Sequence, residues 1–428
     1  MLTRLDLRGV TGDLSAILPR PPAVGEGPVA AVRAILAEVA AGGDDAVRAC
    51  TERFDKVRID DLEVPREALE AALAAVPASL RVALEVAAVS IEAYQQATVA
   101  PEVTHEKDGI LVRDLRRPVD RAGCYVPGGR ATYPSTVLMT AIPARVAGVP
   151  EVVLCVPPGP DGSVPDEVLA AAAIAGVDRV FRIGGAQAIA AMAYGTATVP
   201  AVDVIVGPGN VFVAVAKREV AGAGIVGVPS SFAGPSEVVV VADGSSSTRD
   251  AAIDVVVQAE HGPDGLAWLL TWDEAVADAV TDEVTRIVEA SPRRADIEST
   301  LLEGGRAVLC DGPEQAMEVA NLIAPEHLEL QVADPEALLP LVRHAGAVFT
   351  GGFAPASVGD YLAGPSHVLP TNGSARFSSA LRVDDFVKHV HVVSLDASTL
   401  ARVGEHVAAI ATAEGLEAHA RSVHLRGS

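Results

Sequence analysis

From about residue 119 the chain repeats one pattern: a short apolar run, a Gly-rich turn, then an Ala-rich helical stretch. DRAGCYVPGG leads into STVLMTAIPARVAG, EVVLCVPPG into DEVLAAAAIAG, RVFRIGG into AQAIAAMAYG, and VDVIVGPG into NVFVAVAKREVAG. A last short strand, GIVGVPS, is expected to close this series at about 230. Short turns between successive β-α units leave the strands parallel, and the right-handed crossover stacks the helices on both faces. That predicts a doubly wound sheet.

A second series follows. SEVVVVADG (236–244), LAWLLT (266–271), RAVLCDG (306–312), HLELQV (327–332) and GAVFTGG (346–352) read as strands, with helices between them. Ala-rich stretches at 30–41 and 66–97 read as helices. The expected fold class is α/β: two Rossmann-like parallel-sheet domains, incomplete and doubly wound, one inserted in the other. Residues 1–25 would be an N-terminal arm. Residues 26–120 with 237–380 would form one domain, and 121–236 the inserted one. Residues 381–428, too few for a core of their own, would be a helical C-terminal tail packed on another body.

Composition suits this frame and narrows the function. Half of the residues are hydrophobic but only 4% are aromatic, so Ala, Val and Gly carry the core and helices can lie close to a sheet. The formal charge of −23 sets the surface against nucleic acid and anionic membranes. Cys50, Cys124, Cys155 and Cys310 have neither metal-type spacing nor a disulfide framework. With Asp6 and Asp13 interrupting the N-terminus and no uncharged apolar run of about 18 residues, a cytoplasmic setting without signal peptide or membrane span is expected.

Three Gly-rich turns stand at carboxyl ends of predicted strands: Tyr125-Val-Pro-Gly-Gly, Gly184-Gly-Ala-Gln187 and Gly207-Pro-Gly-Asn210. Glycine lets backbone approach a phosphate, and the following helix offers free N–H groups. The full Gly-x-Gly-x-x-Gly fingerprint is missing, so the same turns also read as ordinary corners of a parallel sheet. Gln258-Ala-Glu260-His261-Gly-Pro-Asp264 ends a helix with residues 258 and 261 on one face. Metal chemistry alone favours Glu260 or Asp264 beside His261, and a solvated helix cap is the plainer alternative. Glu326-His327 follows Pro325 on the turn into a strand, where two bases could work together or simply face water. Asp360 and His367 share a later loop, and Glu414 and His419 lie in the tail. Spacing alone leaves an α/β enzyme tied to a nucleotide.

The phrases GCYVPGGRATYPSTVLMTAIPARVAGV, GGAQAIAA, VDVIVGPGN, AGPSEVVVVAD, QAEHGPDG, NLIAPEHLEL, GDYLAGPSHVLPT and EGLEAHARSV, in this order, resemble the histidinol dehydrogenase family from about residue 20 onward. The resemblance implies zinc-dependent oxidation of L-histidinol through L-histidinal to L-histidine with two NAD. It implies one zinc per subunit on Gln258, His261, Asp360 and His419, and Glu326 and His327 as catalytic bases. It further implies NAD contacts from Tyr125, Gln187 and Asn210. Ser236, His327, His367 and Glu414, with the metal ligands, would contact substrate. It implies a homodimer in which Glu414 and His419 cross to the partner, and it drops Glu260 and Asp264 as ligands. Two other readings use the same residues: a zinc hydrolase with Glu326 as general base, and a nucleotide-binding scaffold without turnover.

Overall fold

The structure, a computed structural model, describes residues 1–19, 26–128, 131–229, 234, 236–260, 262 and 265–426. It is an α/β fold on two parallel sheets. The first sheet has the spatial order Glu63–Val64, Arg179–Phe181, Glu151–Cys155, Arg121–Tyr125, Val204–Val206. Its neighbours pair in parallel, except the two-residue edge Glu63–Val64, which is antiparallel. The chain begins centrally with Arg121–Tyr125, steps outward twice, then returns to the other side with Val204–Val206. This reversal is a topological switch point, and a crevice opens there at the carboxyl ends of the strands. The expected closing strand at GIVGVPS is only a single bridge, between Val204 and Gly227.

Six parallel strands form the second sheet, in the order Thr3–Asp6, Gly305–Leu309, Leu266–Thr271, Glu237–Ala242, His327–Gln331, Ala347–Thr350. After the edge strand Thr3–Asp6, the chain re-enters it in the middle with Glu237–Ala242 and reverses between that strand and His327–Gln331. Glu237–Ala242 is buried at every position, as a central strand covered on both faces must be. The N-terminal residues, expected as an arm, supply the sixth strand. Leu2, Leu7, Leu14 and Leu18 are buried in the cores of this sheet, which is what holds so short a segment in place.

Packing divides the chain differently from the expected grouping of 26–120 with 237–380. One face of the first sheet is covered by Arg66–Ala75, Ala78–Ala97, Pro134–Val146 and Asp166–Ile174; the other by Glu26–Asp55, Gly185–Tyr194 and Val211–Gly222. Residues 26–97 therefore pack on the 121–206 sheet. Their apolar stripes are amphipathic in either setting, so the sequence pattern is silent on which sheet they cover. Ala188, Ala190 and Ala191 are wholly buried between helices and strands, where larger side chains would hold them apart.

The tail also departs from expectation. Val387–Ser394 is a strand, not helix, and pairs antiparallel with Ile110–Pro118, which pairs in turn with Val103–Lys107. The helices Ala397–Ala413 and Glu417–His424 follow, packed on each other through Ala408, Ala411 and Ala420. Val407, Ile410, Leu416 and Leu425 stay exposed on them. Among the described residues no single helix is long and apolar enough to cross a membrane; the sharply bent pair Arg66–Ala75 and Ala78–Ala97 qualifies only by composition and packs on the core.

Candidate active site

Two cavities adjoin at the carboxyl edge of the first sheet. The larger, about 1090 Å³, opens at the switch point of the first sheet and is lined by Tyr125, Gly185, Gln187 and Asn210 among others. The three residues expected to contact NAD thus share one cavity. Tyr125 ends its strand, and its buried hydroxyl accepts the Gly185 N–H at 3.0 Å, at the start of the helix Gly185–Tyr194. Asn210 caps the helix Val211–Gly222, its Oδ1 accepting from Phe212 and Val213 N–H at 3.0 and 3.2 Å. Gln187 Nε2 donates to Asp55 Oδ2 at 3.3 Å. Gly207 has φ +106° and sits so close to the Tyr125 carbonyl that a Cβ would collide with it, so this turn requires glycine.

The smaller cavity, about 310 Å³, is lined by Ser236, Gln258, Glu326, His327, Asp360 and His367, with Tyr133, Thr136 and Tyr361. Here the second sheet contributes its amino edge: Ser236 precedes Glu237–Ala242, and His327 opens His327–Gln331. Ala324, left-handed at φ 53°, and Pro325 end the helix Pro313–Ile323 and turn the chain into that strand. Gln258 sits in the last turn of Thr248–Ala259, and Asp360 in the short helix Ala356–Tyr361. Both helices run back towards the amino edge, which is why their ends meet the strand starts.

Hydrogen bonds fix Glu326 and His327 to one neighbour, Glu237. Its N–H donates to Glu326 Oε2 at 2.9 Å, and its carbonyl accepts from His327 Nδ1 at 3.0 Å. The Glu237 carboxyl in turn accepts the N–H groups of Glu326 (3.3 Å) and Asn372 (2.9 Å). Burial pushes that carboxyl up to about 8.

His327 Nε2 faces Asp360 Oδ1 at 3.2 Å. Both ring nitrogens therefore meet acceptors, an arrangement that calls for two N–H groups and a positive ring. The surrounding charges act in the same direction. Burial alone would lower His327, but Glu326 and Asp360 outweigh it and raise it well above the ordinary range.

His367 is placed otherwise. Its Nδ1 donates to the Asp360 carbonyl at 2.8 Å, and Nε2 meets the Thr136 hydroxyl at 3.0 Å, which can donate. Burial lowers His367, so this ring is neutral.

His261 and Asp264 lie outside the described residues. Glu414 and His419 are exposed on the tail and line neither cavity. Among the described residues no group of three His, Cys, Asp or Glu side chains is arranged to hold a metal. Pro127 and Asn210 line both cavities, so the two spaces share a wall.

A sequence profile described as histidinol dehydrogenase matches residues 20–427. The chain belongs to the histidinol dehydrogenase family. It is 49% identical to a histidinol dehydrogenase of Synechococcus sp. over 400 residues, covering 93% of this chain and 92% of that one. Identity to the Pseudomonas aeruginosa histidinol dehydrogenase is 50% over 397 residues, covering 92% and 89%. The crystal structure of histidinol dehydrogenase from Elizabethkingia anophelis superposes with a TM-score of 0.94 at 33% identity, covering 99% of this chain and 98% of that one. The chain is thus an oxidoreductase by family, on a histidinol dehydrogenase fold.

Sequence reasoning passed over Asp55, Thr136, Glu237 and Tyr361. For Glu237 a signal was present: a carboxylate opening a run of four valines must be buried, and a buried carboxylate needs a task. Asp55 and Thr136 reach the cavities only through long-range packing, for which no local pattern exists.

Proposed function

We propose that this chain oxidises L-histidinol through L-histidinal to L-histidine. Two NAD would be consumed per substrate, with one zinc per subunit at the smaller cavity, in a cytoplasmic homodimer. The observation carrying the reading is the shared wall at Pro127 and Asn210. It sets a cavity holding two bases against a cavity of glycine turns at a switch point, the place where an open α/β sheet takes a dinucleotide.

The donor set fits a metal. Gln258 and Asp360 line one cavity, and Gln258 Nε2 is buried without a hydrogen-bond partner among the described residues. An amide group so placed can turn its oxygen to the cavity instead. Gln258, His261, Asp360 and His419 of the partner subunit would hold the ion. When bound, zinc supplies a Lewis acid for the amine and imidazole nitrogens of the substrate, and NAD takes up the electron pair of each oxidation.

The chain's own residues move the protons. His327 accepts the hydroxyl proton in the first oxidation. Glu326 takes a proton from the water that adds to the aldehyde carbon, and His327 accepts again from the resulting hydrate. Each base is expected to contribute about 10²–10⁴-fold. To act, His327 must first give up the proton that two carboxylates hold on it, and engagement of Asp360 with a cation removes one of the two. Ser236, Gln258, His261, His327, Asp360 and His367, with Glu414 and His419 of the partner subunit, would bind the substrate.

The test is a count. With zinc loaded and NAD in excess, two NADH per histidinol with histidine as product is the expected result. One NADH would remove the second oxidation. None, with zinc bound, would overturn the dehydrogenase reading in favour of metal-dependent hydrolysis.

A further inference from the structure

We propose that Asp55 makes the larger cavity select a dinucleotide with a free adenosine ribose 2′-hydroxyl and reject one carrying a 2′-phosphate. This rests on the NAD reading above and adds the residue that sets its choice of coenzyme.

Asp55 ends the helix Glu26–Asp55 and lines the cavity beside Tyr125, Gly185 and Gln187. Its one hydrogen bond among the described residues comes from Gln187 Nε2. A carboxylate has about four acceptor positions, so most of its capacity is open to a ligand in the cavity it lines. No cation offsets its burial, which pushes it up to about 6, leaving it ionised at neutral pH.

The position along the cavity matters as much as the charge. Pro127 and Asn210 mark the end nearest the bases. The glycine turn at Gly185, with its helix N-terminus, suits a pyrophosphate. The same cavity is lined by Ala31, Ala34, Ile35 and Phe54, an apolar surface that suits a purine. Asp55 meets the Gly185 turn through Gln187 and follows Phe54 in the chain, so a ribose joining a pyrophosphate at that turn to a purine on the apolar residues would come against it. An acidic side chain there accepts from a ribose diol.

A 2′-phosphate would meet repulsion instead. Glu38 also lines the cavity, and Arg53 is the one cation among its described lining residues. Arg53 is already held by Glu38 at 2.9 Å and lies over the Phe54 ring at 4.6 Å. Two carboxylates against one engaged guanidinium leave no net positive charge for a dianion.

The experiment compares kcat/KM for NAD and NADP in the wild type, Asp55→Ser and the near-isosteric Asp55→Asn, with L-histidinol saturating. The wild type should favour NAD, and both variants should narrow the NAD/NADP ratio by about tenfold or more. Inhibition by 5′-ADP and 2′,5′-ADP against NAD gives the same comparison for binding alone and should shift in parallel. Wild-type turnover with NAD and an unchanged ratio in both variants overturns the role of Asp55 by itself. No turnover with either dinucleotide overturns the dehydrogenase reading, and this assignment with it.

Discussion

Two histidines share one partner, Asp360, and are shifted in opposite directions, His327 upward and His367 downward. His327 meets its carboxylate and His367 its carbonyl. Their roles should divide accordingly, the first moving protons and the second recognising substrate. His327→Asn is expected to slow both oxidations by about 10²–10⁴-fold, and Glu326→Gln mainly the second. Single-turnover runs begun with histidinol, and separately with histidinal, measure the two steps. Equal losses in Glu326→Gln would refute the separate task given to Glu326. At this scale the sequence alone was ambiguous: Glu326 and His327 are adjacent on a turn into a strand, a pattern that equally suits two polar residues facing water, and only the family resemblance gave them roles. Tyr361, in contrast, is one residue beyond Asp360 yet reaches the cavity only because a short helix ends there.

Three elements that carry the smaller cavity are tied together beneath it. Gln331 Nε2 donates to Asp254 Oδ2 at 2.6 Å and to Glu329 Oε2 at 2.9 Å, and the Ala356 N–H donates to Glu329 Oε1 at 3.2 Å. The helix bearing Gln258, the strand bearing His327 and the helix bearing Asp360 meet in that network. Burial raises both carboxyls, Glu329 to about 8. Between the unfolded value of a Glu, about 4.3, and that raised value, the folded chain binds more protons than the unfolded one. Stability should therefore fall as pH rises through this window. Glu329→Gln should flatten the decline of Tm from pH 5 to 8, and a decline as steep as in the wild type would contradict this account. Strands such as Glu237–Ala242 were legible because a run of valines has one use in a sheet buried on both faces. Val387–Ser394 was not. Its partner Ile110–Pro118 lies about 270 residues away in the chain, and the strand is mostly exposed, so no buried face marks it.

Across the whole molecule, the carboxyl edge of one sheet faces the amino edge of the other, and the tail lies apart from both cavities. If Glu414 and His419 complete a neighbour's site, inactive chains can repair each other. Mixing His419→Ala with Glu326→Gln protein should restore about a quarter of the wild-type rate of histidine formation, since half the dimers are mixed and each has one intact site of two. No recovery from a refolded mixture would place His419 in its own subunit's site. The pairing of two sheets was legible from two series of β-α units. The assignment of residues 26–97 to the first sheet was not, because an amphipathic helix declares that it has a buried face and not what buries it.

Asn210 and Pro127 belong to both cavities at once, and Asn210 spends its oxygen capping the helix Val211–Gly222. A wall in common gives each ligand a route to change the affinity for the other. Whatever factor the amino alcohol applies to the dissociation constant of the dinucleotide, the dinucleotide must apply to the amino alcohol, because the two orders of loading reach the same ternary state. Sequential loading is then a matter of degree, set by how far that short stretch of backbone yields to the first arrival.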